Sequence, residues 1–284
     1  MARLYRSLLF VPGNNPRFLE KAKTSPADIV CFDLEDSVPD SEKKNARGLI
    51  KEALKSRTSY SSSVYVRTNS PISGKIADDL TEVIQKGLDG IVIPKVNNSG
   101  ELAKIIKLVT TLEKKRKLKP VFVIPSIESA EGIVKTFEIA KSSKRIPAVV
   151  FGVFDLLNDL KIEYTKQPEG AAYSRAKIPL DARAAGVLSI DAIWQDLKDL
   201  DGLKEDCIIG KRLGYSGKSI IHPDQILIAH ELFAPNQSEI QWASKVCQTY
   251  EESKNKGKGA TVVDGKMIDE VHYKQAKALL DLAK

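Results

Sequence analysis

Eight short apolar runs, separated by segments with a helical pattern, most limit what this 284-residue chain can fold into. Most of the runs are continuously apolar, as expected of strands that are covered on both faces in a parallel sheet. Eight strands with intervening helices predict an α/β fold, the closed (β/α)8 TIM barrel, which needs about 250 residues. An open doubly wound sheet is the alternative, but it usually has fewer strands and a glycine-rich first turn, and the sequence has no GxGxxG. The runs are 7–12, 29–34, 63–68, 90–95, 121–126, 148–152, 187–194 and 218–223.

Capping residues predict where two of the helices begin. Asn15 precedes Pro16, which is the usual order of an N-cap and a first helical residue. Ser41 can cap the helix that follows the second run. After about residue 235 the alternation ends, and a helix, a glycine- and lysine-rich loop, a short hairpin and a last helix follow. We therefore predict a barrel domain over residues 1–234 and a C-terminal helical extension over residues 235–284, which we expect to pack on a neighbouring subunit.

Charge and cysteine content argue against several classes of protein. The net charge is +7, but the basic residues are spread along helices and mixed with acids, so we expect no nucleic-acid partner. No apolar run approaches the roughly 20 residues of a membrane span. The three cysteines, Cys31, Cys207 and Cys247, form no CxxC pair, which argues against a disulfide framework or a zinc ribbon. This cysteine usage favours a reducing, cytoplasmic setting.

Polar residues follow the end of each run, where a barrel of this type carries its active site. Three acids crowd the end of the second run in the stretch "CFDLEDSV", and their mutual repulsion calls for a bound cation or for basic neighbours. The residues that follow the runs in chain order are Pro12-Gly13-Asn14, then Asp33, Glu35 and Asp36, then Arg67 and Asn69, then Lys95, Glu128, Asp155, Asp196 and His222.

The types of charge indicate the chemistry. Glu128 and Asp155 follow adjacent runs without a cysteine or histidine beside them, and such hard oxygen ligands suit Mg²⁺, with Mn²⁺ as an alternative. Arg67 could bind a substrate carboxylate or a developing oxyanion through two parallel hydrogen bonds. A divalent ion with an arginine is suited to a 2-oxo or 2-hydroxy acid whose enolate or alkoxide must be stabilised.

Motifs along nearly the whole chain resemble the citrate lyase β-subunit-like family of the HpcH/HpaI aldolase superfamily, which includes malyl-CoA, citramalyl-CoA and citryl-CoA lyases. One departure from the family pattern is "FGVFDLLNDLK", where relatives usually have a small or acidic residue before the aspartate and a glycine after "DL". The matching stretches are "RSLLFVPGNNPRFLEKA", "FDLEDSV", "VYVRTNS", "IVIPKV", "IESAEGI", "FGVFDLLNDL", "AYSRAKI", "LGYSGKSIIHPDQI" and "GKGATVVDGKMIDEVHYKQA".

The resemblance implies a TIM barrel that uses Mg²⁺ and a coenzyme A thioester, as a homotrimer or hexamer. By position, Glu128 and Asp155 match the family's metal ligands, and Arg67 matches the arginine that meets the substrate's acid or keto group. Asp269 matches a catalytic acid/base that a neighbouring subunit contributes. Matches to residues that contact coenzyme A or the substrate are Phe10, Arg17, Lys21, Ile221 and His222.

These matches predict a carbon–carbon lyase that reversibly cleaves malyl-, citramalyl- or citryl-CoA into acetyl-CoA and a 2-oxo acid. Two alternatives stay open: the β subunit of a multi-chain citrate lyase that acts on an acyl-carrier thioester, and a 2-oxo-acid aldolase that does not use coenzyme A. The 2-oxo acid could be glyoxylate, pyruvate or oxaloacetate. We expect Asp33, Glu35, Asp36 and Lys95 to surround the site. The three acids would hold the cations Arg67 and Lys95, or the waters of the metal, in place.

Overall fold

The predicted barrel is confirmed by a computed structural model of the chain, which describes residues 5–166 and 169–283. Parallel strands β1 to β8 pair in chain order, and β8 pairs with β1 to close the barrel. Strands β7 and β8 are shorter than the seventh and eighth apolar runs from which they were predicted. They are β1 Ser7–Pro12, β2 Ile29–Asp33, β3 Ser63–Arg67, β4 Gly90–Ile93, β5 Phe122–Ile127, β6 Ala148–Phe151, β7 Leu188–Asp191 and β8 Gly217–Ile220.

Helices connect successive strands and continue beyond the last one. Among the described residues, no helix is long and apolar enough to cross a membrane. The helices are α1 Pro16–Lys21, α2 Lys43–Lys55, α3 Ile76–Val83, α4 Ser99–Arg116, α5 Ala130–Val134, α6 Thr136–Lys141, α7 Val153–Leu160, α8 Glu169–Ala185, α9 Leu200–Leu213, α10 Gln225–Phe233, α11 Gln237–Asn255 and α12 Glu270–Leu282.

One of the two predicted helix caps is confirmed and the other is wrong. The side chain of Asn15 accepts hydrogen bonds from the backbone N–H groups of Arg17 and Phe18, and Pro16 is the first residue of α1. Ser41 instead lies inside a 3₁₀ turn, Asp40–Glu42, and α2 begins only at Lys43 without a side-chain cap. The short 3₁₀ turn takes the place of the first helical turn, so the position of the hydroxyl no longer matches an N-cap.

The strands bury a continuous apolar cluster. Apart from Tyr5, which precedes β1, its buried members come from β1 through β7, as expected where side chains of a closed barrel meet along its axis. Tyr65 is fully buried in this cluster, and Gly90 on the neighbouring strand leaves room for its ring, because a Cβ there would lie 2.1 Å from it. The cluster includes Leu8, Tyr65, Val92, Ile124, Val150 and Ile190.

The described residues divide into two compact units, one ending at Ala229 and the other beginning at His230, so the division falls within α10. The second unit has its own small core between α11 and α12, with Val246, Tyr250 and Ala276 among its members. It contains the predicted hairpin, formed by antiparallel strands β9 Ala260–Val263 and β10 Lys266–Asp269. The domain boundary at residue 234 and the packing of the extension on a neighbouring subunit stay predictions.

Barrel closure depends on a glycine at the seam between β8 and β1. A Cβ at Gly217 would lie 1.9 Å from the backbone oxygen of Tyr5 and 2.6 Å from the Cα of Arg6. Backbone cannot move aside as a flexible side chain can. The next residue, Lys218, donates its N–H to the backbone oxygen of Arg6 over 3.0 Å, which fixes the approach of the two segments.

We therefore expect Gly217→Ala to lower the free energy of unfolding by at least ~1–3 kcal/mol, the usual cost of overpacking. The matched control is Gly48→Ala, in the exposed middle of α2, where a Cβ would contact nothing within 4 Å. Alanine there should stabilise the protein by ~0.5–1 kcal/mol. Denaturant unfolding of both variants measures the difference, and equal stabilities would contradict this account of the seam.

Candidate active site

Strand register brings Arg67 beside Asp33 at the C-terminal ends of β2 and β3. Nε and Nη2 of Arg67 donate to the two carboxylate oxygens of Asp33 over 2.6 and 2.7 Å. The ring of Phe10, from β1, lies 4.5 Å from the guanidinium carbon. The paired edge of Arg67 that we expected to meet a substrate is therefore occupied by Asp33, while Nη1 lies 3.3 Å from Oε2 of Glu35, and substrate binding by Arg67 stays a prediction.

Asp33 is buried and ionised. Its carboxylate also accepts hydrogen bonds from the hydroxyl of Ser37 and from the backbone N–H groups of Glu35 and Ser37. Burial acts to raise the pKa of Asp33, but the charge and hydrogen bonds of Arg67 outweigh it and lower the pKa to about 2. The first of the three crowded acids thus orients Arg67 and fixes the turn that follows β2.

The other two acids of the stretch lie around Lys95. The ammonium of Lys95 is 3.0 Å from Oε1 of Glu35, 3.7 Å from Asp36 and 3.3 Å from Oδ1 of Asp155. Oε2 of Glu35 lies 3.3 Å from Nη1 of Arg67 but makes no hydrogen bond, although it is buried. The structure thus brings the predicted supporting residues together around the two cations, and their supporting role stays a prediction.

Glu128 follows β5 and is almost fully buried, at 6% exposure. Its Oε1 accepts the backbone N–H of Lys95 over 2.5 Å. Burial, together with the negative charges of Glu35 and Asp155, raises the pKa of Glu128 to about 8. Burial, partly offset by Arg67, likewise raises the pKa of Glu35 to about 7. Two neighbouring carboxyl groups thus resist ionisation because too few positive charges surround them.

Asp155 lies in the first turn of α7 and does not cap the helix, because Gly152 occupies the N-cap position. A glycine is needed there for a steric reason. A Cβ at residue 152 would lie 2.2 Å from Oε2 of Glu128, so the backbone between β6 and α7 passes directly over this carboxylate. The close passage places Glu128 and Asp155 at the same mouth of the barrel.

An open cavity of about 470 Å³ occupies this mouth. Seven of the predicted residues line it: Phe10, Asp33, Asp36, Arg67, Glu128, Asp155 and Ile221. Ser126 and Ser219 also line the cavity. Both lie within strands, so the pattern of polar residues that follow the apolar runs does not identify them.

Three predicted contact residues lie outside the lining of this cavity. Arg17 and Lys21 are exposed on α1, one turn apart on the same face of the helix. The half-exposed ring of His222 accepts the backbone N–H of Asp224 over 3.3 Å. Their roles in binding coenzyme A or the substrate stay predictions.

Two buried polar residues that fix the mouth were missed at the sequence level. Asp79 in α3 accepts hydrogen bonds from the backbone and side chain of Asn69 and from Nε of Arg47, which anchors the loop after Arg67. Gln225 at the start of α10 accepts the backbone N–H of Ile221 over 3.1 Å. Both residues have the sequence appearance of ordinary residues in the first turn of a helix, so only the fold identifies them.

The donor set fits a divalent cation. In residues 5–166 and 169–283, no three or more His, Cys, Asp or Glu side chains form a ready-made metal cluster. Glu128 and Asp155 supply two carboxylates, and the buried Oε2 of Glu35 is an acceptor without a hydrogen bond nearby. Mg²⁺ is usually held by one or two carboxylates, with water and substrate oxygens completing its six ligands. The added positive charge of the cation would also relieve the repulsion that raises the pKa of Glu128.

Asp269, the predicted acid/base, is the N-cap of α12 in the second unit. Its Oδ1 accepts the backbone N–H groups of Val271 and His272 and lies 2.7 Å from Nδ1 of His272. The hydrogen bond with His272 lowers the pKa of Asp269. The contacts found for this carboxylate all use Oδ1, and its role as the acid/base stays a prediction.

The raised pKa values predict how the stability of the metal-free protein depends on pH. Glu35 and Glu128 keep their protons to about 7 and 8 in the fold, against an ordinary value of 4.5. Between these limits the folded state binds more protons than the unfolded chain, so the free energy of unfolding falls as the pH rises. Thermal unfolding in EDTA across this window should show a falling Tm, with a shallower slope in Glu128→Gln. An identical slope in both proteins would contradict the assignment.

Comparisons with known proteins agree over almost the entire chain. The family model described as HpcH/HpaI aldolase/citrate lyase matches residues 6–223. The citrate lyase subunit beta of Leuconostoc mesenteroides is 34% identical over 283 residues, which cover 99% of this chain and 94% of the relative. A (3S)-malyl-CoA thioesterase of Cereibacter sphaeroides is 33% identical over 279 residues, covering 98% and 94%.

A solved structure shows the same fold in full. The protein CitE of Mycobacterium tuberculosis, in complex with magnesium, acetoacetate and coenzyme A, superposes with a TM-score of 0.83 at 25% identity. The match covers 100% of this chain and 99% of the other.

Proposed function

Because the chain belongs to the HpcH/HpaI aldolase/citrate lyase family, we propose that it is a Mg²⁺-dependent carbon–carbon lyase acting on a coenzyme A thioester. The substrate would be malyl-, citramalyl- or citryl-CoA, cleaved reversibly into acetyl-CoA and a 2-oxo acid. The observation that carries the proposal is the shared cavity of Glu128, Asp155 and Arg67 at the C-terminal mouth of the barrel. It combines two hard oxygen ligands with one available guanidinium nitrogen.

Ligands bound by a structural neighbour support the substrate class. The CitE structure holds magnesium, a small oxo acid and coenzyme A together. These are the three components that the cavity and the two exposed basic residues of α1 would have to bind here. Arg17 and Lys21 are suited to the phosphates of coenzyme A, because they are exposed and carry no competing ion pair in the described part of the chain.

The chain's own residues account for each step of a Claisen-type reaction. In condensation, Asp269 removes a proton from the methyl group of acetyl-CoA, and the enolate attacks the keto carbon of the 2-oxo acid. The alkoxide formed in condensation then takes a proton from water; in cleavage the hydroxyl gives that proton back to water, the carbon–carbon bond breaks, and Asp269 protonates the departing enolate. Arg67 stabilises the alkoxide through Nη1, oriented by its paired contact with Asp33. A divalent ion held by Glu128 and Asp155 would supply Lewis-acid stabilisation of the substrate oxygens.

We propose that a second copy of the chain covers the hairpin next to Asp269, in a homotrimer or hexamer. Val262 and Met267 face each other across β9 and β10, and both are more than half exposed, at 64% and 60%. Val271, two residues after Asp269, is exposed as well. An apolar surface around a proposed catalytic acid suits an interface that excludes water from the reaction.

Two relatives give specific alternatives. Similarity to a citrate lyase subunit beta favours a chain that works on an acyl-carrier thioester beside other subunits. Similarity to a (3S)-malyl-CoA thioesterase favours hydrolysis of the thioester in place of carbon–carbon cleavage. An aldolase for free 2-oxo acids is a further alternative within the same family. Reaction products distinguish all of them.

A product assay tests the proposed function. The purified chain with Mg²⁺ should convert at least one of malyl-, citramalyl- and citryl-CoA into acetyl-CoA and the matching 2-oxo acid. Glu128→Gln should lose at least ~100-fold of this activity, because it removes a charged metal ligand. Glu138→Gln, on the exposed face of α6, is the matched control and should keep it. Release of free coenzyme A without acetyl-CoA would contradict the lyase in favour of a thioesterase.

Hybrid oligomers test the proposed role of Asp269. Asp269→Asn should abolish cleavage while Mg²⁺ still raises the Tm, because the variant keeps Glu128 and Asp155. Mixing Asp269→Asn with Glu128→Gln under conditions that exchange subunits should restore part of the activity, since some sites then combine intact residues from two chains. Asp264→Asn, in the hairpin turn, is the control and should remain active. Retained cleavage by Asp269→Asn would remove this residue from the mechanism.

A further inference from the structure

Lys95 has a left-handed backbone conformation although it lies neither at a helix end nor in a hairpin turn. Its φ is +53°, in the left-handed region that costs free energy for every residue except glycine. The other described non-glycine residues with positive φ have ordinary local reasons: Lys117 and Lys161 end helices, and Asp264 lies in the hairpin turn. Lys95 instead follows a strand, two residues after the end of β4, at a backbone conformation that glycine would adopt more easily.

The backbone N–H of Lys95 holds Glu128 on one side. This N–H donates to Oε1 of Glu128 over 2.5 Å, while Gly152 packs against Oε2 of the same carboxylate. Glu128 is therefore held between two backbone segments, one after β4 and one before α7.

On the other side, the ammonium of Lys95 holds Asp155. It lies 3.3 Å from Oδ1 of Asp155 and 3.0 Å from Oε1 of Glu35, with Asp36 at 3.7 Å. Asp33 is already paired with Arg67, so three carboxylates, Glu35, Asp36 and Asp155, lie within 4 Å of this single ammonium. One residue thus contacts both proposed metal ligands, with its backbone on Glu128 and its side chain on Asp155.

We propose that Lys95 positions the two ligands of the metal site and that its ammonium is a tethered counter-ion, which a divalent cation displaces from Asp155. Glu35 and Asp36 then retain the ammonium close by. The residue holds the crowded carboxylates together in the metal-free protein and competes with the incoming ion for Asp155. This inference rests on the proposed metal site and assigns Lys95 a role that the lyase reaction itself does not require.

Competition makes a prediction that a purely structural role does not. Lys95→Met removes the ammonium but keeps the backbone N–H to Glu128. Because the site becomes more negative, its Mg²⁺ dissociation constant should fall by about tenfold or more, while the metal-free Tm drops. Lys117→Met is the matched control: this lysine has nearly the same φ, +55°, but is exposed at the end of α4. It should change neither the Mg²⁺ affinity nor the pH dependence of stability.

Glycine variants separate the backbone from the side chain. Lys117→Gly should raise the Tm, because glycine adopts the left-handed conformation without strain. Lys95→Gly gains the same relief but loses the ion pairs of the ammonium, so its metal-free Tm should fall relative to Lys117→Gly. If Lys95→Met does not fold, Lys95→Gln provides a second neutral variant, and Lys95→Arg should retain the wild-type affinity because it keeps the charge.

Isothermal titration with Mg²⁺ alone and thermal unfolding in EDTA measure both effects without any substrate. Equal or weaker Mg²⁺ binding by Lys95→Met would contradict the claim that the cation displaces the ammonium from Asp155. An unchanged metal-free Tm would contradict the counter-ion role of Lys95. Absence of Mg²⁺ binding by the wild type would contradict both the displacement and the metal site. If both Lys95 results hold but no thioester is cleaved, the proposed function fails and the inference about Lys95 stands.

Discussion

The mouth of this barrel contains more negative than positive charge, and most of the site geometry follows from that excess. Five carboxylates lie within reach of only two cations, Arg67 and Lys95. Asp33 takes the paired edge of Arg67, and Glu35, Asp36 and Asp155 share the ammonium of Lys95, while Glu128 receives only the backbone N–H of that lysine. Burial then makes ionisation of Glu128 and Glu35 costly, which is why the pKa of each is raised. A divalent cation is the simplest ligand that restores the balance, and Glu128 and Asp155, which line the cavity at this mouth, are positioned to take it.

Much of the fold and of the residue set could be predicted from sequence because parallel strands leave strong local signals. Continuous apolar runs mark strands that are covered on both faces, and in a closed barrel their C-terminal ends must converge. This geometry predicts from the sequence alone that Asp33, Arg67, Glu128 and Asp155 meet at one mouth of the barrel. The start of α1 was equally readable, because an N-cap asparagine and a proline are adjacent in the chain.

What could not be predicted depends on contacts between residues that are distant in the chain. Arg67 was expected to bind a substrate through a paired contact, but the β2–β3 register gives that edge to Asp33. The left-handed backbone of Lys95 has no sequence signal, because lysine gives no hint of positive φ. Asp79 and Gln225 stabilise loops from neighbouring helices, and a single sequence does not show which helix packs against which loop. Ser41 failed as a cap because a 3₁₀ turn replaced the first turn of the helix.

The central claim is that Glu128 and Asp155 bind the metal, whereas the other three acids, Asp33, Glu35 and Asp36, pair with Arg67 or Lys95. Crystals soaked in Mn²⁺ and measured at a wavelength where manganese scatters anomalously would locate the ion directly. The account predicts one peak, with oxygens of Glu128 and Asp155 at about 2.0–2.2 Å, close to the distances of a six-coordinate hard cation. A peak bound by Asp33, Glu35 or Asp36 instead, or no peak at this mouth, would contradict it.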